Sequence, residues 1–330
     1  MGTSVGKVIR GGLGYCRALT GFLLRTGKAL GGPVAIAIEP TNICNLHCPL
    51  CATGSGMLDR PRGTMSLESF KSIIDALPRS ITDLYLWGQG EPFLAPDFLD
   101  MVRYASVRGY RTYTSTNGHY LDDAEGIITS GLSSLVISLD GVDRATYDSY
   151  RQGGNFDLVV DGIRKVSGAK RKNGIGPVIE LQYLVTRENA VNMKRFRSFA
   201  QSIGAERVVF KTLQAASLQG GMAYLPENRE LTRYHEATHG DIEPERVWPL
   251  KNRCMRIYYN FQIDWQGNIV PCCFDKDSTH IMGNVFDTPV LKIWNSEPYL
   301  SFRTTLNLQG RVLPMCRDCS EGLKRMSVHG

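Results

Sequence analysis

The feature that most constrains this sequence is the run C-N-L-H-C-P-L-C, which places Cys44, Cys48 and Cys51 in one short segment. The segment follows an apolar run, residues 34–38, that is typical of a β-strand. Closely spaced thiolates in a loop are the usual ligands of iron–sulfur clusters and of zinc. Four thiolates would close such a site, whereas three leave one iron of a [4Fe–4S] cluster open to another ligand. The segment therefore predicts a catalytic site, against the alternative of a chance group of cysteines.

The other cysteines are also clustered. Eight of the nine fall within residues 44–51 and 254–319, and no secretory signal is recognisable. This distribution favours metal ligation in a reducing compartment over an extracellular disulfide scaffold, and it predicts a cytoplasmic protein. Apolar residues make up 42% and charged residues 21% of the 330-residue chain, which is ordinary for one large or two modest globular domains.

The net charge of +6 is concentrated near the N-terminus, where five basic residues precede the first acid, Glu39. The remaining chain is nearly neutral, so no nucleic-acid partner is predicted. Residues 13–30 read as an amphipathic helix, and two roles stay open: a peripheral contact with anionic membrane, or a helix that docks on the domain. No apolar run is long enough to span a bilayer. The predicted apolar face holds Leu19, Phe22, Leu23 and Leu30, opposite Arg10, Arg17, Arg25 and Lys28.

From residue 34 the patterns of strands and helices alternate. Six βα repeats imply an α/β fold with a parallel sheet, either doubly wound or a partial barrel. In both architectures ligands bind at the carboxyl ends of the strands. The predicted strands are 34–38, 82–87, 111–116, 134–139, 177–185 and 206–211, and the predicted helices are 66–77, 96–108, 121–130, 157–170 and 188–203.

The three-cysteine segment after a first strand resembles the signature of the radical S-adenosylmethionine (SAM) superfamily. The resemblance implies a (β/α)6 partial barrel over about residues 34–212. It also implies a [4Fe–4S] cluster held by Cys44, Cys48 and Cys51, with the open iron chelated by the amino and carboxylate groups of SAM. Leu50 stands where the family usually has an aromatic residue.

Four further segments at predicted strand ends resemble the SAM-binding loops of this family. Tight turns or ordinary polar loops are the alternative for each one taken alone. Gly88-Gln89-Gly90-Glu91 resembles the GGE motif that holds the SAM amino group, and Arg151 resembles the arginine that pairs with the SAM carboxylate. The cofactor-binding residues implied are Gly90, Glu91, Ser115, Asn117, Ser138, Asp140 and Arg151.

The C-terminal cysteines resemble the SPASM/Twitch extension of radical SAM enzymes, with a hairpin predicted at Gln266-Gly267. Five cysteines are present instead of the seven of a full SPASM domain, which implies one auxiliary [4Fe–4S] cluster. A structural zinc site is the alternative. Cys272 is preferred to Cys273, because it follows the hairpin at the family position. The implied ligands are Cys254, Cys272, Cys316 and Cys319.

The predicted domains are an N-terminal helix (1–33), a radical SAM partial barrel (34–212), a linker (213–253) and an auxiliary cluster domain (254–330).

The resemblance implies cleavage of SAM to a 5′-deoxyadenosyl radical, hydrogen abstraction from a substrate, and net oxidation through the auxiliary cluster. The alternatives are a peptide- or protein-modifying maturase of the same superfamily and, in a different class, a non-catalytic iron–sulfur electron carrier. A flavodoxin- or ferredoxin-type reductant is implied. The substrate is a small molecule or a peptide. Only about 33 residues precede the first strand, so no N-terminal peptide-recognition domain is expected, which favours a small or lipid-linked molecule. No catalytic acid or base is identified.

Overall fold

The computed structural model describes residues 2–214, 221–236, 242–244, 253–317, 319 and 327–328, and the chain divides into two compact units. Both units are built from segments that are distant in sequence. The first unit contains Met1–Ile43, Asp59–Tyr113 and Trp248–Glu321. The second unit contains Cys44–Leu58, Thr114–Val247 and Gly322–Gly330.

The described residues form twelve strands and ten α-helices. The strands are β1 (Ala35–Ile38), β2 (Asp83–Leu86), β3 (Arg111–Thr116), β4 (Ser134–Ser138), β5 (Val178–Val185), β6 (Arg207–Thr212), β7 (Tyr234–Glu236), β8 (Ile242–Pro244), β9 (Asn260–Ile263), β10 (Asn268–Val270), β11 (Gly283–Asn284) and β12 (Ser327–Val328). The helices are α1 (Gly2–Leu23), α2 (Leu67–Ala76), α3 (Phe98–Val107), α4 (Ala124–Thr129), α5 (Arg144–Asp148), α6 (Phe156–Asn173), α7 (Met193–Ser202), α8 (Val290–Trp294), α9 (Glu297–Gln309) and α10 (Pro314–Arg317).

In the first unit the strand order is β11-β10-β9-β1-β2-β3, and β3 continues past the boundary of the unit. β1 is buried along its whole length and pairs in parallel with β2 on one side and with β9 on the other. β9 and β10 form the predicted antiparallel hairpin, and Gly267 in its turn has φ +85°. Glycine suits this turn because other residues rarely adopt a positive φ.

In the second unit the strand order is β4-β5-β6-β12. β4, β5 and β6 are parallel, whereas β12 pairs with β6 in the antiparallel direction. Along β5 every second side chain is buried, which is the period expected of a strand with two unequal faces. In neither unit do the described strands close on themselves. β7 and β8 form a separate two-stranded sheet.

The predicted α/β fold is confirmed, since the six strands β1 to β6 are separated in sequence by the helices α2 to α7. The six strands begin and end within one residue of their predicted bounds. The predicted cap of α2 is also present, because Ser66 Oγ accepts a hydrogen bond from Ser69 N–H at 3.1 Å. The short helix α5 was not predicted. Within the predicted linker, a 3₁₀ helix at Arg229–Leu231 precedes β7.

The N-terminal helix differs from its prediction. Instead of residues 13–30, α1 covers Gly2–Leu23, and Arg25 follows it with φ +54°. Of the four apolar residues placed on one face, Phe22 is buried while Leu19, Leu23 and Leu30 are exposed. The predicted orientation of the helix was wrong because it placed leucines on the packed side, whereas glycines form much of that side. Among the described residues, no helix is long and apolar enough to cross a membrane.

Candidate functional site

The three-cysteine loop lies in the second unit, after the carboxyl end of β1 in sequence. Cys48 is buried in an apolar cluster with Leu46, Leu50 and Tyr150, and Cys44 and Cys51 pack against that cluster. The loop is stabilised locally by a hydrogen bond from Cys51 N–H to the Cys48 carbonyl at 3.1 Å. All nine cysteines are described, and none of them forms a disulfide.

Two hydrogen-bond donors are directed at sulfur atoms of this loop. Asn117 Nδ2 lies 3.8 Å from Cys44 Sγ, and Arg151 Nη1 lies 3.9 Å from Cys48 Sγ. Burial raises the pKa of the Cys48 thiol to about 11, while the Arg151 charge acts in the opposite direction. A thiol must lose this proton to bind a metal, so the guanidinium favours the deprotonated state that metal binding requires. Hydrogen bonds to ligand sulfurs are also a known influence on cluster potentials.

Arg151 is itself held by Asp140. The Arg151 Nε–H donates to Asp140 Oδ2 at 2.5 Å, and the Asp140 carboxylate is fully buried. Its other oxygen accepts from the Leu184 N–H of β5 at 2.6 Å. Asp140 comes two residues after β4, so this carboxylate fixes the guanidinium relative to β5 and the cysteine loop. The carboxylate raises the pKa of Arg151 further above its ordinary value, against the effect of burial, so Arg151 stays charged.

A chain of hydrogen bonds that the sequence did not predict orients Asn117. The Asn155 N–H at the start of α6 donates to His119 Nε2 at 2.8 Å, and His119 Nδ1 lies 2.9 Å from Asn117 Oδ1. Because Nε2 accepts, the ring proton is on Nδ1 and is donated to Asn117. The amide nitrogen of Asn117 is thereby turned toward Cys44 and toward Asn45 Oδ1, which is 2.8 Å away. The G-H dipeptide after Asn117 was the signal available in the sequence.

The two predicted serines lie at or near strand ends in the second unit. Ser115 is the fifth residue of β3 and half-buried, and Ser138 is the last residue of β4 and buried. Ser138 is paired in register with Gln182 of β5. Both positions agree with the expectation that polar groups collect at the carboxyl ends of parallel strands.

The glycine turn of the first unit is shaped by the chain itself. A Cβ atom on Gly90 would lie 2.4 Å from the Thr41 carbonyl oxygen, so no other residue fits without a shift. The Glu91 N–H donates to the Ile43 carbonyl at 2.8 Å. The buried Glu91 carboxylate accepts from the Phe93 N–H at 3.2 Å, capping a short 3₁₀ helix. Glu91 therefore has a structural role that the sequence prediction did not include.

Glu39, directly after β1, holds the same turn from the other side. It forms a bidentate, buried ion pair with Arg60, with oxygen–nitrogen distances of 2.7 and 2.6 Å. The Gln89 N–H donates to Glu39 Oε2 at 2.9 Å, and Gly88 leaves room for the carboxylate. Arg60 Nε–H also donates to the Lys276 carbonyl at 2.7 Å, in the loop after Cys272 and Cys273. The sequence analysis missed this pair, although an acid directly after a buried strand was a usable signal.

The C-terminal cysteines surround a cavity within the first unit. Four thiols line it, and none of its lining residues in the described chain is an acid. Three arginines that the sequence analysis did not single out share the wall. Arg253 and Arg256 flank Cys254 in sequence, which was the available signal. The lining is Arg253, Cys254, Arg256, Ile257, Cys272, Phe302, Leu306, Arg311, Met315, Cys316 and Cys319.

Of the two adjacent cysteines, Cys272 lines the cavity, whereas the Cys273 sulfur lies 3.9 Å from Arg256 Nη1. Burial raises the pKa of the Cys272 thiol well above its ordinary value. Across the described residues, no three His, Cys, Asp or Glu side chains are grouped tightly enough to hold a single metal ion. Four thiols around one cavity are a donor set that suits an iron–sulfur cluster, and thiolates also bind structural zinc.

Helix α9 forms part of the wall of this cavity through Phe302 and Leu306. It is fixed by Arg303, which is fully buried and donates to the carbonyls of Ile257 at 3.0 Å and Trp294 at 2.8 Å. The guanidinium also stacks near the rings of Trp294 and Tyr299. Burial lowers the pKa of Arg303 to about 10, which still leaves it charged at neutral pH.

Comparison with known proteins agrees with this geometry. Residues 38–192 match the radical SAM superfamily, and residues 254–320 match SPASM, an iron–sulfur cluster-binding domain. The AdoMet-dependent heme synthase of Nitratidesulfovibrio vulgaris is 27% identical over 88% of this chain and 88% of that protein. The mycofactocin maturase MftC of Mycobacterium tuberculosis is 31% identical over 54% of this chain and 44% of that protein.

Solved structures show the same fold. Streptococcus suis SuiB bound to S-adenosylmethionine matches with a TM-score of 0.65 and 16% identity, over 82% of this chain and 68% of that chain. SuiB has also been solved bound to its precursor peptide SuiA. With both family matches in place, the chain belongs to the radical SAM superfamily and is an enzyme with a C-terminal SPASM-type iron–sulfur domain.

Proposed function

We propose that Cys44, Cys48 and Cys51 are the three thiolate ligands of the SAM-binding [4Fe–4S] cluster. The observation that carries this proposal is the pair of donors directed at the loop, Asn117 toward Cys44 and Arg151 toward Cys48. A chance group of cysteines would have no need of two separately held polar groups. The apolar side chains around Cys48 exclude water from the protein side of the site.

When bound and reduced, such a cluster supplies the electron that cleaves SAM to methionine and a 5′-deoxyadenosyl radical, which removes a hydrogen atom from the substrate. The residues of this chain bind and orient SAM. In the second unit we assign Ser115, Asn117 and Ser138 to its polar groups and Arg151 to its carboxylate, with Asp140 positioning Arg151. In the first unit we assign Gly90 and Glu91 to the SAM amino group. The assignments of Ser115, Asn117 and Ser138 are supported by their positions at or directly after strand ends, and that of Arg151 by its hydrogen bond to Asp140.

We further propose that Cys254, Cys272, Cys316 and Cys319 hold one auxiliary [4Fe–4S] cluster. Their placement around one cavity supports this, and so does the position of Cys273 outside its lining. Four thiolates leave no iron open, which makes electron transfer the expected role. Arg253, Arg256 and Arg311 in the wall stabilise added negative charge, so the site is suited to accept an electron. Net oxidation of the substrate follows from this role.

The substrate class stays open between a small molecule and a peptide. A peptide-modifying reaction is supported by the likeness to SuiB, whose structure with a precursor peptide is known. A flavodoxin- or ferredoxin-type protein is proposed as the one-electron donor. We also propose a cytoplasmic location, supported by the clustering of the cysteines. A peripheral membrane contact through residues 13–30 is proposed as well, supported by the basic N-terminal segment.

Iron and sulfide analysis after anaerobic reconstitution tests the cluster assignment, with an assay for 5′-deoxyadenosine. We expect about eight irons per chain, as two [4Fe–4S] clusters require. A Cys44/Cys48/Cys51 triple alanine variant should keep about four irons and form no 5′-deoxyadenosine. Cys16→Ala and Cys273→Ala are matched controls, since neither sulfur belongs to a proposed cluster, and both should retain the full iron content.

Other results would favour the alternatives. Four irons and one zinc in the wild type would show that the C-terminal thiols form a structural zinc site. A full complement of iron with no 5′-deoxyadenosine formed from SAM and reductant would indicate an electron carrier. Loss of half the iron in Cys273→Ala would move the fourth ligand from Cys272 to Cys273.

A further inference from the structure

Helix α1 has two unlike faces, and the one packed against the rest of the first unit is made mostly of small residues. A Cβ atom on Gly14 would lie 2.5 Å from Val34 Cγ2, and one on Gly21 would lie 3.2 Å from the Tyr258 ring. Ala18 and Phe22, on the same side, are buried. The helix is thus docked without using its leucines.

The opposite face is apolar and exposed. Ile9, Leu13, Leu23 and Leu24 are 56%, 54%, 59% and 67% exposed. These residues share one side of a helical wheel. Leu24 continues the last turn, because its N–H donates to the Thr20 carbonyl at 2.9 Å. A helix that is docked by one face normally presents polar groups on the other, so this exposed apolar side indicates a further contact.

Charge indicates the chemistry of that contact. The first 38 residues contain five basic residues and no acid, and Arg17, Arg25 and Lys28 are exposed. Arg25 ends the helix with φ +54°, a position where glycine is the usual residue. A positive charge is therefore kept beside Leu23 and Leu24 at a cost in backbone energy, which points to a role for the charge itself.

We propose that the outward face of α1 docks on an anionic lipid surface, with its leucines entering the headgroup region and its basic residues facing the lipid charges. This combination of an apolar face, basic flanks and no acids is what an interfacial helix requires. A second copy of the chain is a poorer occupant, because pairing through this face would bring like charges together. This inference rests on the peripheral membrane contact proposed above and assigns it to α1, and it is independent of the cluster assignments.

Co-sedimentation of the full chain with vesicles tests the proposal. We expect the wild type to sediment with phosphatidylcholine vesicles containing phosphatidylglycerol, and to stay in the supernatant with phosphatidylcholine alone. Leu13→Gln/Leu23→Gln should abolish binding without loss of fold, since both side chains are exposed. Val107→Gln/Val191→Gln is the matched control, because these two valines are 85% and 87% exposed elsewhere, and it should bind as the wild type does.

Arg25→Gly separates the lipid role from a structural one. Glycine relieves the positive φ, so the variant should keep or raise the thermal midpoint while binding anionic vesicles about fivefold more weakly. A lower midpoint with unchanged vesicle binding would assign Arg25 to the helix end and contradict its lipid role. The proposal as a whole fails if the wild type sediments with neither vesicle type. It also fails if the protein is a dimer that Leu13→Gln/Leu23→Gln converts to a monomer.

Discussion

At the scale of single residues, the Asp140–Arg151 pair predicts a loss of stability as well as of SAM binding. Asp140 is fully buried and Arg151 nearly so. Arg151→Ala would leave the carboxylate buried without its partner, which costs about 3–5 kcal/mol. Urea unfolding of the anaerobic protein measures this loss, and Arg151→Lys should recover part of it. If Arg151→Ala unfolds at the wild-type urea concentration and only SAM affinity falls, the guanidinium serves the ligand alone.

His119 predicts a dependence of stability on pH. Burial lowers the pKa of His119, so the folded state favours the neutral ring. As the pH falls through the unfolded pKa of about 6.5, the unfolded chain takes up the proton first, and stability is lost. The urea midpoint of the wild type should therefore fall between neutral and mildly acidic pH. His119→Gln should show a smaller fall over the same range. An equal fall in both proteins would contradict this assignment.

The sequence indicates the cysteines as a site, but it does not indicate the residues that contact them. Ligand cysteines lie close together in sequence, so their spacing alone indicates a site. By contrast, the Glu39–Arg60 pair and the hydrogen bond from Asn155 to His119 join residues 21 and 36 positions apart. Such contacts depend on how elements pack, which spacing does not reveal. For the same reason Glu91 was assigned to SAM alone, although its carboxylate caps a short helix.

At the scale of elements, the glycines of α1 predict opposite effects of the same substitution. Gly14 approaches Val34 too closely for a Cβ atom, whereas Gly12 has no atom within 4 Å of its Cβ position. Gly14→Ala should therefore destabilise the protein by about 1–3 kcal/mol through overpacking. Gly12→Ala should stabilise it by about 0.5–1 kcal/mol through helix propensity. Thermal unfolding compares the two. A stabilising Gly14→Ala would show that α1 does not pack by this face.

Strand positions were predictable because apolar runs of β-branched residues between turns have a clear period, as in β5. The orientation of α1 was not, since a wheel assigns leucines to the core and gives glycines no weight. Nor was the pairing of β9 with β1 foreseeable, because it joins segments more than 200 residues apart in parallel. The hairpin that β9 forms with β10 was predicted from its local turn.

At the scale of the whole molecule, each compact unit combines segments that are distant in sequence. Amino-acid composition does not indicate which of these segments belong together. Asp59–Tyr113 and Trp248–Glu321 belong to one unit, although the prediction placed the first segment in the barrel (34–212) and most of the second in a separate C-terminal domain (254–330). Compact units are not the same as domains, so the predicted domain boundaries remain a prediction. At this scale the sequence indicates three thiolates at the first site and four at the second. The two proposed cluster roles depend on this difference.

The arginine wall of the C-terminal cavity predicts the redox behaviour of the auxiliary cluster. A positive charge stabilises the reduced cluster more than the oxidised one, so removing a charge should lower the reduction potential. Redox titration is best followed by electron paramagnetic resonance in the Cys44/Cys48/Cys51 triple alanine protein, where only the auxiliary cluster contributes. We expect Arg256→Gln and Arg311→Gln each to lower the potential by on the order of 50 mV.

Arg103→Gln is the control, because Arg103 is an exposed residue of α3 paired with Asp100, and it should leave the potential unchanged. An iron count of about four per chain must accompany each variant, since these arginines also contact the surrounding backbone, as Arg311 does at the Arg253 carbonyl. If both variants keep their iron and the wild-type potential, the guanidinium groups do not face the cluster charge. The wall would then act as packing, and a role of the cluster as electron acceptor would lose its electrostatic support.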